Sequence, residues 1–300
     1  MRRHRVGLVC SRVRVEEKLL LSRLAERRDV ELIRIDDGEL TMDIAGGTDI
    51  AASTLESARA LGSCDVVVLR SISQTKNLVM ARILDSWGIA CVNPAAVVEC
   101  CADKVRTTLA LSANQVPTIP TLVAISPDAA LRAIESMGYP CVIKPTTGSW
   151  GRLVARVNDR EAAEALLEHK STLGGSAHSV FYIQAYVDKP GRDIRAFYIG
   201  GRTVAAITRS SGHWITNTAR GAQAQGYPIS EELDSLCRRA AEAVGGGALA
   251  LDVFEQGDRL LVNEVNATME FRNSVEPTGV DIPGLLVSHA LEVSEQRRCA

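Results

Sequence analysis

The segment LLVNEVNATMEF, residues 260–271, sets Glu264 and Asn266 two positions apart behind the apolar run Leu260, Leu261 and Val262. In a strand, residues i and i+2 point to the same face, so this spacing presents two hard oxygen ligands side by side. Asp252 lies in the preceding apolar stretch, residues 248–254, across the turn EQGDR. A hairpin centred on Asp258 places Asp252 opposite Glu264, and side chains that oppose each other across two strands share a face. Asp252, Glu264 and Asn266 then form one oxygen cluster. Mg2+ takes such ligands and keeps waters and substrate phosphates in the rest of its shell. The plain alternative is a polar hairpin end in solvent. The otherwise apolar strands weigh against it, because here the acids interrupt surface suited to burial.

Other groups suit phosphoryl chemistry. Lys144 ends the apolar run VIK, and Pro145 blocks a helix there. In the following loop, TTGSWGR, Gly148 and Gly151 permit a tight turn whose backbone N–H groups can close over phosphates. The loop lacks the G-K-[ST] of a Walker A motif. Lys104 follows Asp103 within a helical stretch and, alone, reads as a solvated residue. The strand YIQAYVD, with Gln184, Ala185 and Val187, can offer backbone groups to a purine edge or simply serve as core. Asp193 and Arg195 share one strand face, and Arg209, Asn217 and Arg220 bracket a polar loop. Fixed cations beside a metal stabilise charge spread over a transferring phosphoryl group. His213 and Trp214 have no partner at metal-ligand spacing. No Ser–His–Asp or Cys–His arrangement supports covalent catalysis.

The elements that must position these groups alternate at first. RVGLVC, VELIRID, DVVVLRS and IACVN read as strands, separated by the helical stretches EEKLLLSRLAERR and NLVMARILDSWG, which predicts a parallel sheet over residues 1–95. No G-x-G-x-x-G follows the first strand, so a dinucleotide fold is unsupported. GGTDIAAST reads as a surface loop. The stretch from Asn93 reads as one helix carrying Asp103 and Lys104 in its middle, with Pro117 just past its end. Residues 96–180 form a small α+β lobe, and residues 181–300 are mostly strands, with a polar loop over 210–226, a helix over 230–244 and a last helix from about Ile282.

Composition excludes several classes. The net charge of −2 over 300 residues gives no support to nucleic-acid binding. No apolar run approaches the ~20 residues of a membrane span. The basic start MRRHR precedes an apolar stretch shorter than the ~7 residues a secretory signal needs, so a cytoplasmic location is expected. The eight cysteines include no C-x-x-C pair and read as reduced structural thiols.

Taken in order, DK at 103–104, VIKP, TTGSWGR, IQAYV, DIR, the Arg–Asn–Arg set and D…NEVN resemble the ATP-grasp superfamily over nearly the whole chain. Within it they are similar to the RimK/LysX-like branch. GSWGR, HWITNTARG and NATMEFRNSVEPTGVDIPG are most similar to LysX-type α-aminoadipate–carrier protein ligases. The resemblance implies an α/β (α+β) ATP-grasp fold with a pre-ATP-grasp domain over 1–95, a lid subdomain over 96–180 and an antiparallel subdomain with the metal site over 181–300. It implies ATP contacts at Lys104, Lys144, Gly148, Ser149, Trp150, Gly151, Gln184, Ala185, Val187 and Asp193. Two Mg2+ ions are expected on Asp252, Glu264 and Asn266. Arg195 and Arg220 are expected as catalytic cations. The amino-acid substrate is expected on Arg209, Asn217, Glu270, Phe271, Arg272 and Asn273. Ala222 stands where the branch has glycine.

The implied reaction joins α-aminoadipate to the C-terminal Glu of a small acidic LysW-like carrier protein through an acyl phosphate, in a homodimer or homotetramer. Alternatives are a glutamate–carrier ligase of the ArgX type, a RimK-like glutamylase of a protein tail, or an inactive nucleotide-binding regulator. The intact lysines and oxygen ligands argue against the last.

Overall fold

The computed structural model describes residues 3–44, 55–148, 152–175, 179–217 and 221–299. The expected loop at 46–54 and the expected site residues Ser149, Trp150, Gly151 and Arg220 lie outside them. The N-terminal lobe is β1 (His4–Cys10), α1 (Val15–Ala25), β2 (Val30–Asp36), α2 (Glu56–Gly62), β3 (Val66–Leu69), α3 (Gln74–Ser86) and β4 (Ala90–Val92). Its sheet is parallel throughout, in the order β2-β1-β3-β4. Val6, Leu8, Val9 and residues 66–69 are all buried, as expected for strands covered on both faces.

The stretch expected as one helix is two, α4 (Ala95–Ala102) and α5 (Lys104–Ala113). Asp103 breaks it. Its backbone is extended and its carboxylate accepts the N–H groups of Val105 and Arg106, an N-cap that a mid-helix reading overlooks. Lys104 therefore opens α5, and its own N–H donates to Thr146 O at 2.8 Å in the loop after the Lys144 strand.

The middle lobe follows as β5 (Thr121–Ala124), α6 (Pro127–Met137), β6 (Cys141–Lys144), β7 (Ala155–Val157), α7 (Arg160–Leu173) and β8 (Phe181–Ala185). Its antiparallel sheet runs β5-β8-β6-β7, with α6 and α7 packed on one face. β8 thus belongs to this sheet although it lies beyond the expected 180/181 division.

The C-terminal lobe comprises β9 (Arg192–Ile199), β10 (Arg202–Ser210), β11 (Gln223–Gly226), α8 (Glu231–Val244), β12 (Ala248–Gln256), β13 (Arg259–Asn266), α9 (Val275–Thr278) and α10 (Ile282–Cys299). Its antiparallel sheet runs β11-β10-β9-β12-β13. β11 falls within the expected polar loop. Its sequence QAQG carries no strand signal, and pairing with residues 207–210 of β10 makes it a strand. α10 returns to the first lobe, where Leu286, Val287, Ala290 and Leu291 join Val6, Leu8 and Leu20 in one core.

The β12–β13 hairpin decides which side chains reach the cleft. Gln256 pairs with Arg259 around Gly257 and Asp258, with Gly257 at φ +57°, so the turn centre lies between residues 257 and 258. Pairing then runs regularly to Val253↔Val262, and a bulge at Asn263 resets it to Asp252↔Glu264. The sheet buries Leu249, Leu251 and Val253 against α8, so Asp252 faces the other way. On β13, Val262 and Val265 both pack on the α8 side, three residues apart. The bulge absorbs that odd step, and both Asn263 and Glu264 face the cleft.

Candidate active site

Two cavities meet at this hairpin. The larger has about 820 Å³ of empty volume and lies between the middle and C-terminal lobes. Among the described residues, five cations line it: Lys104, Lys144, Arg152, Lys189 and Arg209. Val142, Pro145, Ala185, Val187, Ile215 and Phe254 supply apolar wall. The second cavity, about 750 Å³, opens between the N-terminal and C-terminal lobes and is lined by polar groups including Arg14, Asn77, Arg195, Asn266, Thr268 and Glu270. Asp252, Glu264 and Asn217 line both.

Asp252 is 5 % exposed and surrounded by cations. Arg195 donates to it through Nε at 2.8 Å and Nη2 at 2.9 Å, and Arg209 Nη2 lies 3.1 Å away. Burial alone would raise the Asp252 carboxyl, but the two guanidinium groups outweigh it and hold it well below the usual carboxylate range. Arg209 also forks onto Asp193 with two 2.7 Å bonds. Glu264 lies 3.3 Å from Lys104 Nζ, which also donates to Gly148 O at 2.9 Å. Gly148 has φ +114°, a backbone state suited to glycine, and this brings the Gly-rich loop's carbonyl onto the lysine.

Lys144 sits between Gln184 Oε1 at 2.5 Å and Asn263 Oδ1 at 2.7 Å. Desolvation pushes its ammonium down to about 8, against the pull of Glu264. Both acceptors are neutral amides, so only the attraction of Glu264 and Asp252 offsets the lysine's charge before a ligand arrives.

Of the residues expected on ATP, Lys104, Lys144, Gly148, Gln184, Ala185, Val187 and Asp193 line the larger cavity. Of the expected backbone contacts, the Ala185 N–H is already used, while the Val187 carbonyl keeps a second lone pair. Ala185 N–H donates to Pro120 O, and Val187 O accepts from Lys189 N–H. Asn217, Arg209 and Glu270 also line the cavities, but Arg209 lies on the larger one rather than beside the expected amino-acid residues. Phe271 departs from its expected role. It is fully buried in the core under the first lobe, with the Arg70 guanidinium 5.7 Å from its ring centre, because the chain turns inward after Glu270. Arg272 and Asn273 are exposed, and Arg272 approaches Glu16 at 4.0 Å.

Sequence reasoning missed Lys189, Asn263 and Arg14. Lys189 donates to Thr216 Oγ1 at 2.6 Å and lies 4.5 Å from the Phe254 ring centre. Burial lowers its pKa, while Asp193 opposes that shift. Asn263 sits at the bulge that turns it, with Glu264, into the cleft. Cys10, Cys64, Cys91, Cys100, Cys101, Cys141 and Cys237 are free thiols, and burial pushes Cys64 and Cys91 up to about 12, so they stay protonated.

Glu264 and Asn266 suit a hard divalent cation, and Asp252 would join them by exchanging a guanidinium contact for the ion, since both its oxygens accept from Arg195 and one lies against Arg209. Asp252 and Glu264 oppose each other on the cleft face, and Asn266 Nδ2 donates to Ala250 O, which reserves its amide oxygen for a ligand. Among the described residues no cluster of three His, Cys, Asp or Glu side chains could hold a metal, so a centre here rests on two acids and an amide. Also among the described residues, no helix is long and apolar enough to cross a membrane.

Residues 6–100 match the LysX preATP-grasp domain model, and residues 101–289 match the RimK-like ATP-grasp domain model. The chain is 33 % identical over 292 residues to the glutamate–LysW ligase ArgX of Sulfolobus acidocaldarius, covering 95 % of this chain and 97 % of that protein. It is 35 % identical over 230 residues to the α-aminoadipate–LysW ligase LysX of Saccharolobus solfataricus, covering 76 % and 84 %. Among solved structures, the RimK domain ATP-grasp protein of Sphaerobacter thermophilus matches with a TM-score of 0.78 at 29 % identity, covering 96 % of this chain and 99 % of that one.

Proposed function

The chain belongs to the RimK-like ATP-grasp family of ATP-dependent ligases, and from that premise we propose that it couples the α-amino group of an acidic amino acid to a carrier-protein carboxylate. One observation carries the reading: Asp252 and Glu264 form the wall shared by a lysine-rich cavity and a polar one. The nucleotide occupies the first cavity and the amino acid the second, so the γ-phosphate meets the acceptor carboxylate at that wall.

The reaction has two steps. A carboxylate oxygen of the carrier's C-terminal Glu attacks the γ-phosphorus, and the bond to ADP breaks. The amine then attacks the acyl carbon, inorganic phosphate leaves, and a C–N bond forms. Lys104 and Lys144 hold phosphate oxygens. Asp252, Glu264 and Asn266 would hold Mg2+, two ions in the first reading, and the metal would supply charge neutralisation for the polyphosphate. Arg195, fixed by its fork onto Asp252, faces the acyl group from the amino-acid side. Arg220 is proposed as the second catalytic cation. Closure of the loop around Gly148 keeps water from the acyl phosphate.

α-Aminoadipate is the first reading for the amine, a LysW-like acidic protein the carrier, and a homodimer or homotetramer the assembly. Glutamate is the second reading, favoured by the nearly full-length match to ArgX. The substrates differ by one CH2, worth ~1 kcal/mol of burial. The test is ADP release and intact-protein mass with carrier plus each amino acid. A mass gain of the amino-acid residue is expected; no gain with either would end the reading.

A further inference from the structure

The second cavity includes a feature that belongs to the N-terminal lobe alone. In the order β2-β1-β3-β4, the chain leaves β1 to one side and returns as β3 on the other. Ligands of open parallel sheets bind in the crevice beyond the carboxyl ends of strands at such a switch point. Here that crevice holds Arg14, past the end of β1, with Ser71 and Ile72, past the end of β3, and all three line the second cavity.

Arg14 is braced from behind. Its Nε and Nη2 donate to Glu17 at 3.0 and 3.1 Å, and Glu17 is fully buried. Arg70, 2 % exposed, donates to the same carboxylate through Nε at 3.0 Å and to Met269 O through Nη1 at 2.6 Å. This fixes the Arg14 fork with its end-on edge toward the cavity. There Nη1 donates to Glu270 Oε1 at 2.7 Å. Arg14 and Glu270 are partly exposed, at 24 % and 34 % of their side chains. Glu270 thus occupies the seat a ligand carboxylate would take. Arg14, Arg70 and Arg272 face Glu16, Glu17 and Glu270, so the cluster is balanced before any ligand arrives.

We propose that Arg14 receives the side-chain carboxylate of the amino-acid substrate, displacing Glu270, and so sets the preference for an acidic over a neutral amino acid. The inference rests on the ligase reading. The substrate spans the cavity with its amine at the wall of Arg195, Glu264 and Asn266 and its far end on Arg14. A guanidinium whose Nε/Nη2 edge is fixed on the buried Glu17, itself held by Arg70, offers its Nη1 end as a rigid donor to one carboxylate.

The test compares wild type, Arg14→Gln and Arg14→Lys on glutamate against glutamine, and on α-aminoadipate against 2-aminohexanoate. For Arg14→Gln, the acid-to-neutral ratio of kcat/KM should fall about 100-fold, through KM for the acid, with KM for ATP within about threefold. Arg14→Lys keeps charge but loses the fork and should fall about tenfold; it carries the test if Arg14→Gln does not fold. Calorimetric titration of each amino acid into ADP-loaded protein reads the same ratio without turnover. An unchanged ratio in folded variants overturns the Arg14 assignment. Failure of wild type to ligate either acid, with binding still dependent on Arg14, overturns the ligase reading instead.

Discussion

With Lys144 on the phosphates as proposed, nucleotide binding is expected to be proton-linked. Its ammonium is pushed to about 8 by desolvation, from an ordinary value of 10.5, and its neighbours Gln184 and Asn263 carry no charge. A polyphosphate placed beside it restores the charged form. Below pH 8 the lysine is already protonated and binding is nearly flat with pH. Above it, the free protein must take up a proton to bind. Two pH values fix the magnitude: the protonated fraction is about 0.9 at pH 7 and about 0.1 at pH 9. The dissociation constant should therefore weaken about tenfold over that span, or ~1.4 kcal/mol, with about 0.9 proton taken up per nucleotide at pH 9.

Calorimetry in two buffers of different ionisation enthalpy, at fixed Mg2+, measures both quantities. Lys144→Arg should bind without the pH step, because a guanidinium does not titrate in this range. A flat wild-type curve, or the same step in Lys144→Arg, would refute the reasoning. The folding linkage has a matching sign. The unfolded lysine binds a proton more readily between pH 8 and 10.5, so the cost of burying its charge is fully present below 8. Stability of the nucleotide-free protein therefore rises through that window.

Asp252→Asn leaves Arg195 and Arg209 without their shared acid and should lower stability by about 3 kcal/mol, read as a shift in denaturant midpoint. Asp252 in wild type, whose pKa is depressed, contributes stability above its ordinary value of 3.8 and loses it as pH falls, so acid titration of the wild-type fold should show a transition that the variant lacks. Glu264→Gln keeps shape and a partly exposed position, so stability should change by less than about 1 kcal/mol while ADP release falls at least about 100-fold. Deleting Asn263 removes the bulge yet leaves Glu264 next in line opposite Asp252. The fold should persist, and KM for ATP should rise about tenfold from the lost acceptor of Lys144, measured by steady-state kinetics.

Much of this site was legible because its ligands sit on strands. The opposition of Asp252 and Glu264 followed from hairpin symmetry, although the turn is centred half a residue earlier and the bulge makes up the difference. Period-two reading fails at such a point, which is why Asn263 was overlooked. Asp103 carried a cap signal inside an apolar helical pattern, and the pattern dominated the reading. Phe271 followed Glu270 in a motif, and only the packing under the first lobe shows that the two neighbours point to opposite environments. Arg14, Glu17 and Arg70 were illegible, because their meeting depends on sheet order and on residues some 53 positions apart. β11 became a strand only through its neighbour.

The extra residue at position 263 also makes β13 two half-strands of opposite phase. Recombination with a relative would work only if the crossover respects that joint. A graft aligned by hydrophobic alternation alone would turn the acid inward against α8 and a valine out into the lysine-lined cavity, giving a well-folded hairpin with nothing to grip.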